Sequence, residues 1–116
     1  MASVCIIDGD RAVRDSLATL MQISGHDVST FATGNAFLDA VDAIALGCVV
    51  CEAELPDTSG ISIHNALARR KVDVPFALLV SRTHPATVAA AHKAGIRDVF
   101  YKPLVNRRLI AFVARL

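Results

Sequence analysis

The stretch Cys48-Val49-Val50-Cys51-Glu52-Ala53-Glu54-Leu55-Pro56-Asp57-Thr58-Ser59-Gly60 decides how the rest of the chain is read. A short apolar run ends at an acid, Glu52. Pro56 follows four residues later and Gly60 four after that. So short a continuous apolar run reads as a strand covered on both faces. Pro56 and Gly60 punctuate a loop. Ile61 to Arg70, with Ile63, Ala66 and Leu67 inward, then reads as a helix.

The same unit recurs on either side. Val4 to Ile7 is a buried strand running into Asp8-Gly9-Asp10. Ala12 to Ser24 has helical spacing at Val13, Leu17, Leu20 and Met21, and Gly25 closes it as a C-cap. Val28 to Phe31 is a second strand. Thr33 suits the N-cap of a helix holding Phe37, Leu38, Val41 and Ile44. Gly47 leads into the third strand, Cys48 to Cys51. Pro75 to Val80 is the fourth, with proline tolerated at its first residue. Pro85 opens a helix that runs through Val88 and Ala91 to Gly95. Ile96 to Tyr101 contains the fifth strand, broken by Lys102-Pro103. Arg107 to Leu116 is a last helix, with Leu109, Ile110 and Val113 expected to be buried. Strands alternating with helices predict an α/β fold. At this size the expectation is one domain, residues 1–116, with a flavodoxin-like doubly wound (βα)5 architecture and a parallel sheet in the order 2-1-3-4-5.

Composition narrows the function. Of the 116 residues, 53% are hydrophobic and 20% charged, which is globular rather than disordered. A net charge of +1 leaves no electrostatic footprint for nucleic acid, so direct contact with it is not expected. Arg69-Arg70-Lys71 suits a solvated helix end. No apolar run approaches the roughly 20 residues of a membrane span. No basic region precedes the first strand, so no signal peptide is read and a cytoplasmic location is expected.

Three cysteines cannot all pair internally, and Cys48-x-x-Cys51 lies inside a strand, where residues three apart face opposite ways. Buried structural thiols are expected. Redox chemistry would want the first cysteine at a helix N-terminus, and zinc would want about four ligands. His26, His64, His84 and His92 are scattered and read as structural or surface histidines, with His84 nearest the candidate edge.

In a sheet of this order, ligands bind beyond the carboxyl ends of the strands, at the switch point between strands 1 and 3. Asp8, Gly9 and Asp10 follow strand 1, Glu52 follows strand 3, Ser81 follows strand 4 and Lys102 follows strand 5. Acids, a hydroxyl and an amine thus converge on one edge from four segments.

These residues resemble a response-regulator receiver domain over essentially the whole chain, the FixJ-like subgroup most of all. The likeness is carried by Ile6-Ile7-Asp8-Gly9-Asp10, Ala12 to Leu17, Leu55 to Gly60, Lys93-Ala94-Gly95 and Tyr101-Lys102-Pro103-Leu104. The resemblance implies two-component phosphorelay signalling, in which an aspartate after strand 3 accepts a phosphoryl group. Two acids after strand 1 help to hold magnesium, and a hydroxyl and a lysine contact the phosphoryl group.

Against that pattern the chain keeps Asp8, Ser81 and Lys102 and departs twice. Glu52 stands at the acceptor position, and Gly9 stands where the second acid is expected, with Asp10 one place later. Thr83 is the fallback hydroxyl, and Val99 occupies the position usually used by an aromatic rotamer switch. The expectation is an atypical receiver, a pseudo-receiver that is not phosphorylated at Glu52. It is not an enzyme, binds magnesium weakly through Asp8 and Glu52 at most, and acts through protein contacts. Glu52 either mimics phosphoaspartate toward Lys102 or marks a degenerate site. The alternative is a phosphorylatable, magnesium-dependent receiver controlling a transcriptional output domain. A nucleotide- or flavin-binding module would want a glycine-rich phosphate loop after strand 1, where this chain is acidic. Implied partners are a histidine kinase, an output domain or another regulator, and a second copy through the face of helix 4, strand 5 and helix 5. Ala90, Arg97, Arg107 and Arg108 are its candidate residues. Both a stand-alone protein and the N-terminal part of a longer regulator are compatible with this reading.

Overall fold

Five parallel strands form one sheet, in the order β2-β1-β3-β4-β5 that the alternation predicts. The computed structural model describes residues 3–81, 85–102 and 106–114. Its strands are β1 (Ser3–Ile7), β2 (Asp27–Phe31), β3 (Leu46–Glu52), β4 (Phe76–Val80) and β5 (Asp98–Tyr101). Between and after them run α1 (Arg11–Ile23), α2 (Gly34–Ala40), α3 (Gly60–Arg69), α4 (Pro85–Lys93) and α5 (Asn106–Ala114). Ile7 lies beside Cys51, and Glu52 beside Leu79. The register therefore brings the residues after β1, at the end of β3 and after β4 to one edge.

Strand alternation divides the core in two. Cys5, Ile7, Val49, Cys51, Leu78 and Val80 pack with Phe37 of α2 and with Ile63 and Leu67 of α3. Val4, Ile6, Cys48, Val50, Ala77 and Leu79 pack with Leu17 and Met21 of α1 and with Leu109, Phe112 and Val113 of α5. Both faces of the central strands are thereby covered, which is why they read as unbroken apolar runs. Cys48 and Cys51 fall in opposite layers, as the strand spacing requires. Burial pushes the Cys5 thiol up to about 11, the Cys48 thiol up to about 12 and the Cys51 thiol higher still. Such thiols stay protonated at neutral pH and are poor nucleophiles.

Several boundaries differ from the expectation. The second helix stops at Ala40; Val41–Ala43 form a single 3-10 turn and Ile44 is already extended. Strand β3 starts two residues earlier than Cys48, and β4 starts after Pro75. Ile110 is exposed rather than buried, at 38%. Leu109, Phe112 and Val113 form the inward stripe of α5, and a residue one position from Leu109 turns by about 100° toward solvent. Phe112 takes the inward place and meets Phe100 edge to face at 5.9 Å.

Candidate functional site

Three helices near the carboxyl edge begin at side-chain caps. Asp10, Thr33 and Ser59 each accept a hydrogen bond from a backbone N–H of the helix that follows. These caps satisfy donors that would otherwise lack partners, and they fix the turns that carry the site. Gly60, at the start of α3, packs directly against β3. A Cβ there would sit 2.6 Å from the Glu52 carbonyl oxygen and 2.5 Å from Leu78 Cδ1. Only glycine allows the helix to start so close to the strand end.

Asp8 follows β1 and is fully buried. Its Oδ2 lies 2.7 Å from Lys102 Nζ, and its Oδ1 accepts from the Asp10 N–H at 2.9 Å. Arg14, from the first turn of α1, donates to the Asp8 carbonyl at 2.8 Å. Lys102 is placed by its own backbone, whose N–H donates to the Val80 carbonyl at 2.8 Å. A buried carboxylate needs such partners, because a lone charge out of water is costly.

Glu52 ends β3 and reaches across the edge. Its Oε2 accepts from the Gly9 N–H at 3.2 Å, and its Oε1 lies 3.7 Å from Lys102 Nζ. Lys102 therefore sits between two carboxylates and is closer to Asp8. Burial, then hydrogen bonding to and repulsion from Asp8, raise the Glu52 carboxyl to about 7; the Lys102 ammonium and the Gly9 N–H pull the other way. At neutral pH Glu52 is thus divided between its charged and neutral forms.

Asp8, Glu52 and Lys102 come together as expected. Asp10 joins them only through its backbone: its Oδ1 accepts from the Ala12 and Val13 N–H groups and caps α1. Ser81 is exposed just beyond β4 and takes no part in these contacts. Thr83, His84, Pro103 and Leu104 lie outside the described residues, as does the side chain of Arg107. Ala90 and Arg108 are exposed on α4 and α5. Arg97 precedes β5, at the end of the sheet away from Glu52. Val99 packs in the layer of α3, and Phe100 packs in the other.

Sequence reasoning missed Arg14 and Asp57. Asp57 accepts from the Gly34 and Asn35 N–H groups at 2.9 and 2.8 Å, tying the loop after β3 to the start of α2. These bonds hold its carboxyl below the usual range. No local pattern announces a contact between residues so far apart in sequence, whereas Arg14, one turn into a helix that follows an acid, was within reach of inspection.

The donor set fits magnesium poorly. That ion wants six oxygens in near-ideal octahedral order. Both Asp8 oxygens and Glu52 Oε2 are already engaged by donors, the Asp10 carboxylate caps a helix, and Gly9 has no side chain to offer. Among the described residues no group of three or more histidines, cysteines or acids is arranged to hold a metal ion.

The sequence profile of the response regulator receiver domain matches residues 4–114. The chain belongs to the response regulator receiver family. This receiver is 31% identical over 110 residues to the transcriptional regulatory protein FixJ of Bradyrhizobium diazoefficiens, covering 95% of this chain and 54% of FixJ. It is 33% identical to the transcriptional regulatory protein TdiR of Thauera aromatica, covering 94% of this chain and 48% of TdiR. The receiver thus spans about half the length of these curated relatives. Among solved structures, full-length FixJ from B. japonicum superposes with a TM-score of 0.89 at 30% identity, over 98% of this chain and 56% of that one. The BeF3-activated DrrB receiver domain gives 0.88 at 29% identity, over 99% and 96%. A receiver domain in two-component signalling is a signalling module, and this one shares that fold and family. No helix among the described residues is long and apolar enough to cross a membrane.

Proposed function

We propose that this receiver signals without accepting a phosphoryl group, through protein contacts. The carrying observation is the closed edge: Glu52 is bonded to the Gly9 N–H while Lys102 is held by Asp8. An acceptor carboxylate must be ionised, free and placed within a fraction of an ångström for in-line attack. Glu52 is longer than aspartate by a methylene, is engaged by a backbone donor and is partly neutral at pH 7. The poor donor set for magnesium points the same way, since neutralising the phosphoryl oxygens is the metal's contribution.

Glu52 is only a weak mimic of phosphoaspartate in this reading. Its oxygen stands 3.7 Å from Lys102 Nζ, whereas Asp8 stands at 2.7 Å, so the lysine answers chiefly to Asp8. The edge is better described as fixed in one state than as driven by charge. Partners of this kind of module are a histidine kinase, an output domain or another regulator. The transcriptional regulators it resembles make an output domain the first partner to test.

Incubation with acetyl phosphate and magnesium should leave the intact mass unchanged, and beryllofluoride should leave the amide spectrum unchanged. A stoichiometric gain of one phosphoryl group that disappears in Glu52→Ala would overturn the proposal.

A further inference from the structure

The turn after β1 hangs on one peptide unit. Asp8 supplies its C=O and Gly9 its N–H, and in a trans unit these two groups are coplanar and point opposite ways. Arg14 Nη1 donates to the carbonyl at 2.8 Å. At the other end the N–H donates to Glu52 Oε2 at 3.2 Å. A cation from α1 thus grips one end of the plane and the carboxyl group that ends β3 grips the other.

The groups on either side of this unit are anchored elsewhere. The Asp8 N–H donates to the Phe31 carbonyl at 3.1 Å, and the Asp10 N–H donates to Asp8 Oδ1 at 2.9 Å. Between these anchors Gly9, with no Cβ, leaves the plane room to turn. A turned plane would set the carbonyl oxygen against the Glu52 carboxyl group and the N–H against the Arg14 guanidinium. Of the two grips the arginine's is the stronger. It is short, partly buried and made by a full charge, whereas the bond to Glu52 is long and exposed.

Nothing in α1 itself favours Arg14. It stands in the first turn, where the helix dipole favours acids, and that turn holds none. Among the described residues no carboxylate lies within salt-bridge distance of its guanidinium. Arg11, in the same turn, faces Asp15 instead, at 3.7 Å and with both side chains well exposed.

We propose that Arg14 is a positioning residue for the edge. By holding the Asp8 carbonyl it aims the Gly9 N–H at Glu52, and so keeps the Glu52 side chain drawn in against the turn after β1. Without the guanidinium the plane turns and Glu52 loses its backbone donor. This role rests on the reading that Glu52 is held rather than phosphorylated, and the two fail separately. A phosphoryl gain on wild type would overturn that reading, whereas the Gly9 amide decides this one.

The test is a double-mutant cycle read at the Gly9 amide proton by NMR, on wild type, Arg14→Met, Glu52→Ala and the double variant. Methionine keeps a long stem and removes the charge and the donors. Glu52→Ala should move the Gly9 signal upfield, since its acceptor is gone. Arg14→Met alone should move it the same way, although Arg14 does not touch that N–H. In the Arg14→Met background, Glu52→Ala should then move it less than half as far as it does in wild type. An arginine that merely packs would leave the effect of Glu52→Ala intact. A shift of half the wild-type size or more in the Arg14→Met background would therefore overturn the proposal. Should Arg14→Met not fold, the coupling is read from the other end, because it is reciprocal. Glu52→Ala should move the guanidinium signals of Arg14 further than those of Arg11. Arg14 signals that move no further than those of Arg11 would overturn the proposal.

Discussion

Lys102 Nζ lies 2.7 Å from Oδ2 of a fully buried Asp8, and the residues are 94 positions apart in the chain. The pair ties the turn after β1 to the turn after β5, across the strand that carries Glu52. Lys102 is itself 18% exposed at the side chain, so only one of the two charges is wholly removed from water. That asymmetry determines which half of the pair can be removed at lower cost.

Lys102→Met should strand the Asp8 carboxylate and lower unfolding free energy by about 3 kcal/mol, as breaking a buried pair does. Adding Asp8→Asn to the same chain should recover part of the loss, because the uncompensated charge is gone. Urea denaturation of the two single variants and the double variant measures this. A single-variant loss below about 1 kcal/mol would mean that the pair behaves like a surface salt bridge.

Stability should fall as pH rises through neutrality, by way of Glu52. Its folded carboxyl sits at about 7 against an ordinary value of 4.5. Between those values the folded state binds more protons than the unfolded state, so the contribution is fully present below about 4.5 and is lost as pH rises through about 7. Glu52→Gln imitates the neutral form and removes the titration. Its stability advantage over wild type should grow by about 1–3 kcal/mol from pH 5 to pH 8. A difference that stays flat across that range would show that Glu52 ionises normally.

Gly9→Asp together with Glu52→Asp should restore magnesium binding and some phosphorylation, whereas wild type should show no saturation in a magnesium titration at physiological concentrations. The first substitution is not free of strain, since a Cβ at Gly9 would stand 3.2 Å from the Pro56 ring. The proline must yield by a few tenths of an ångström. A folded double variant that still fails to bind magnesium would place the obstacle elsewhere in the edge.

Gly60→Ala should destabilise by about 1–3 kcal/mol, because the added methyl overpacks a strand–helix contact. It should also move the Glu52 and Gly9 amide resonances, since the clash falls on the Glu52 carbonyl. Unchanged resonances at these two positions would separate the packing of α3 from the geometry of the site.

Ala90→Glu tests the face of α4, β5 and α5 as a contact surface. Tyr101 and Ile110 are exposed, at 43% and 38%, and Ala90 stands exposed on α4. If wild type self-associates through this face, ultracentrifugation should show the variant shifted to monomer. Self-association that is indifferent to the substitution would place the contact on another surface.

The strand order was legible because the central strands are covered on both faces and therefore unbroken in hydrophobicity, and because strand and helix patterns alternate along the whole chain. Residue types at strand ends were equally legible: Asp8, Glu52 and Lys102 had to converge once the order was known. What they do with their hydrogen bonds was not. Asp10 counts as an acid in the sequence, yet its short side chain is taken up by the Ala12 and Val13 N–H groups at the start of α1. Asp before a helical pattern is itself an N-cap signal, and it was outweighed by the look of an acidic cluster. Ile110 was misplaced for a related reason, since the unbroken apolar run from Leu109 to Val113 leaves the phase of the helix undetermined until Phe112 meets Phe100.

Asp57 carries a consequence for how the molecule comes apart. A helix of seven residues is too short to persist alone in water, and α2 has no acid in its own first turn. The carboxylate that anchors its first N–H groups is lent by the loop beyond β3. Helix and loop are therefore one cooperative unit, which opens together or stays shut together. Any partner that pulls the Glu52 loop outward would unwind α2 in the same motion, so the second helix is a built-in reporter of events at the site.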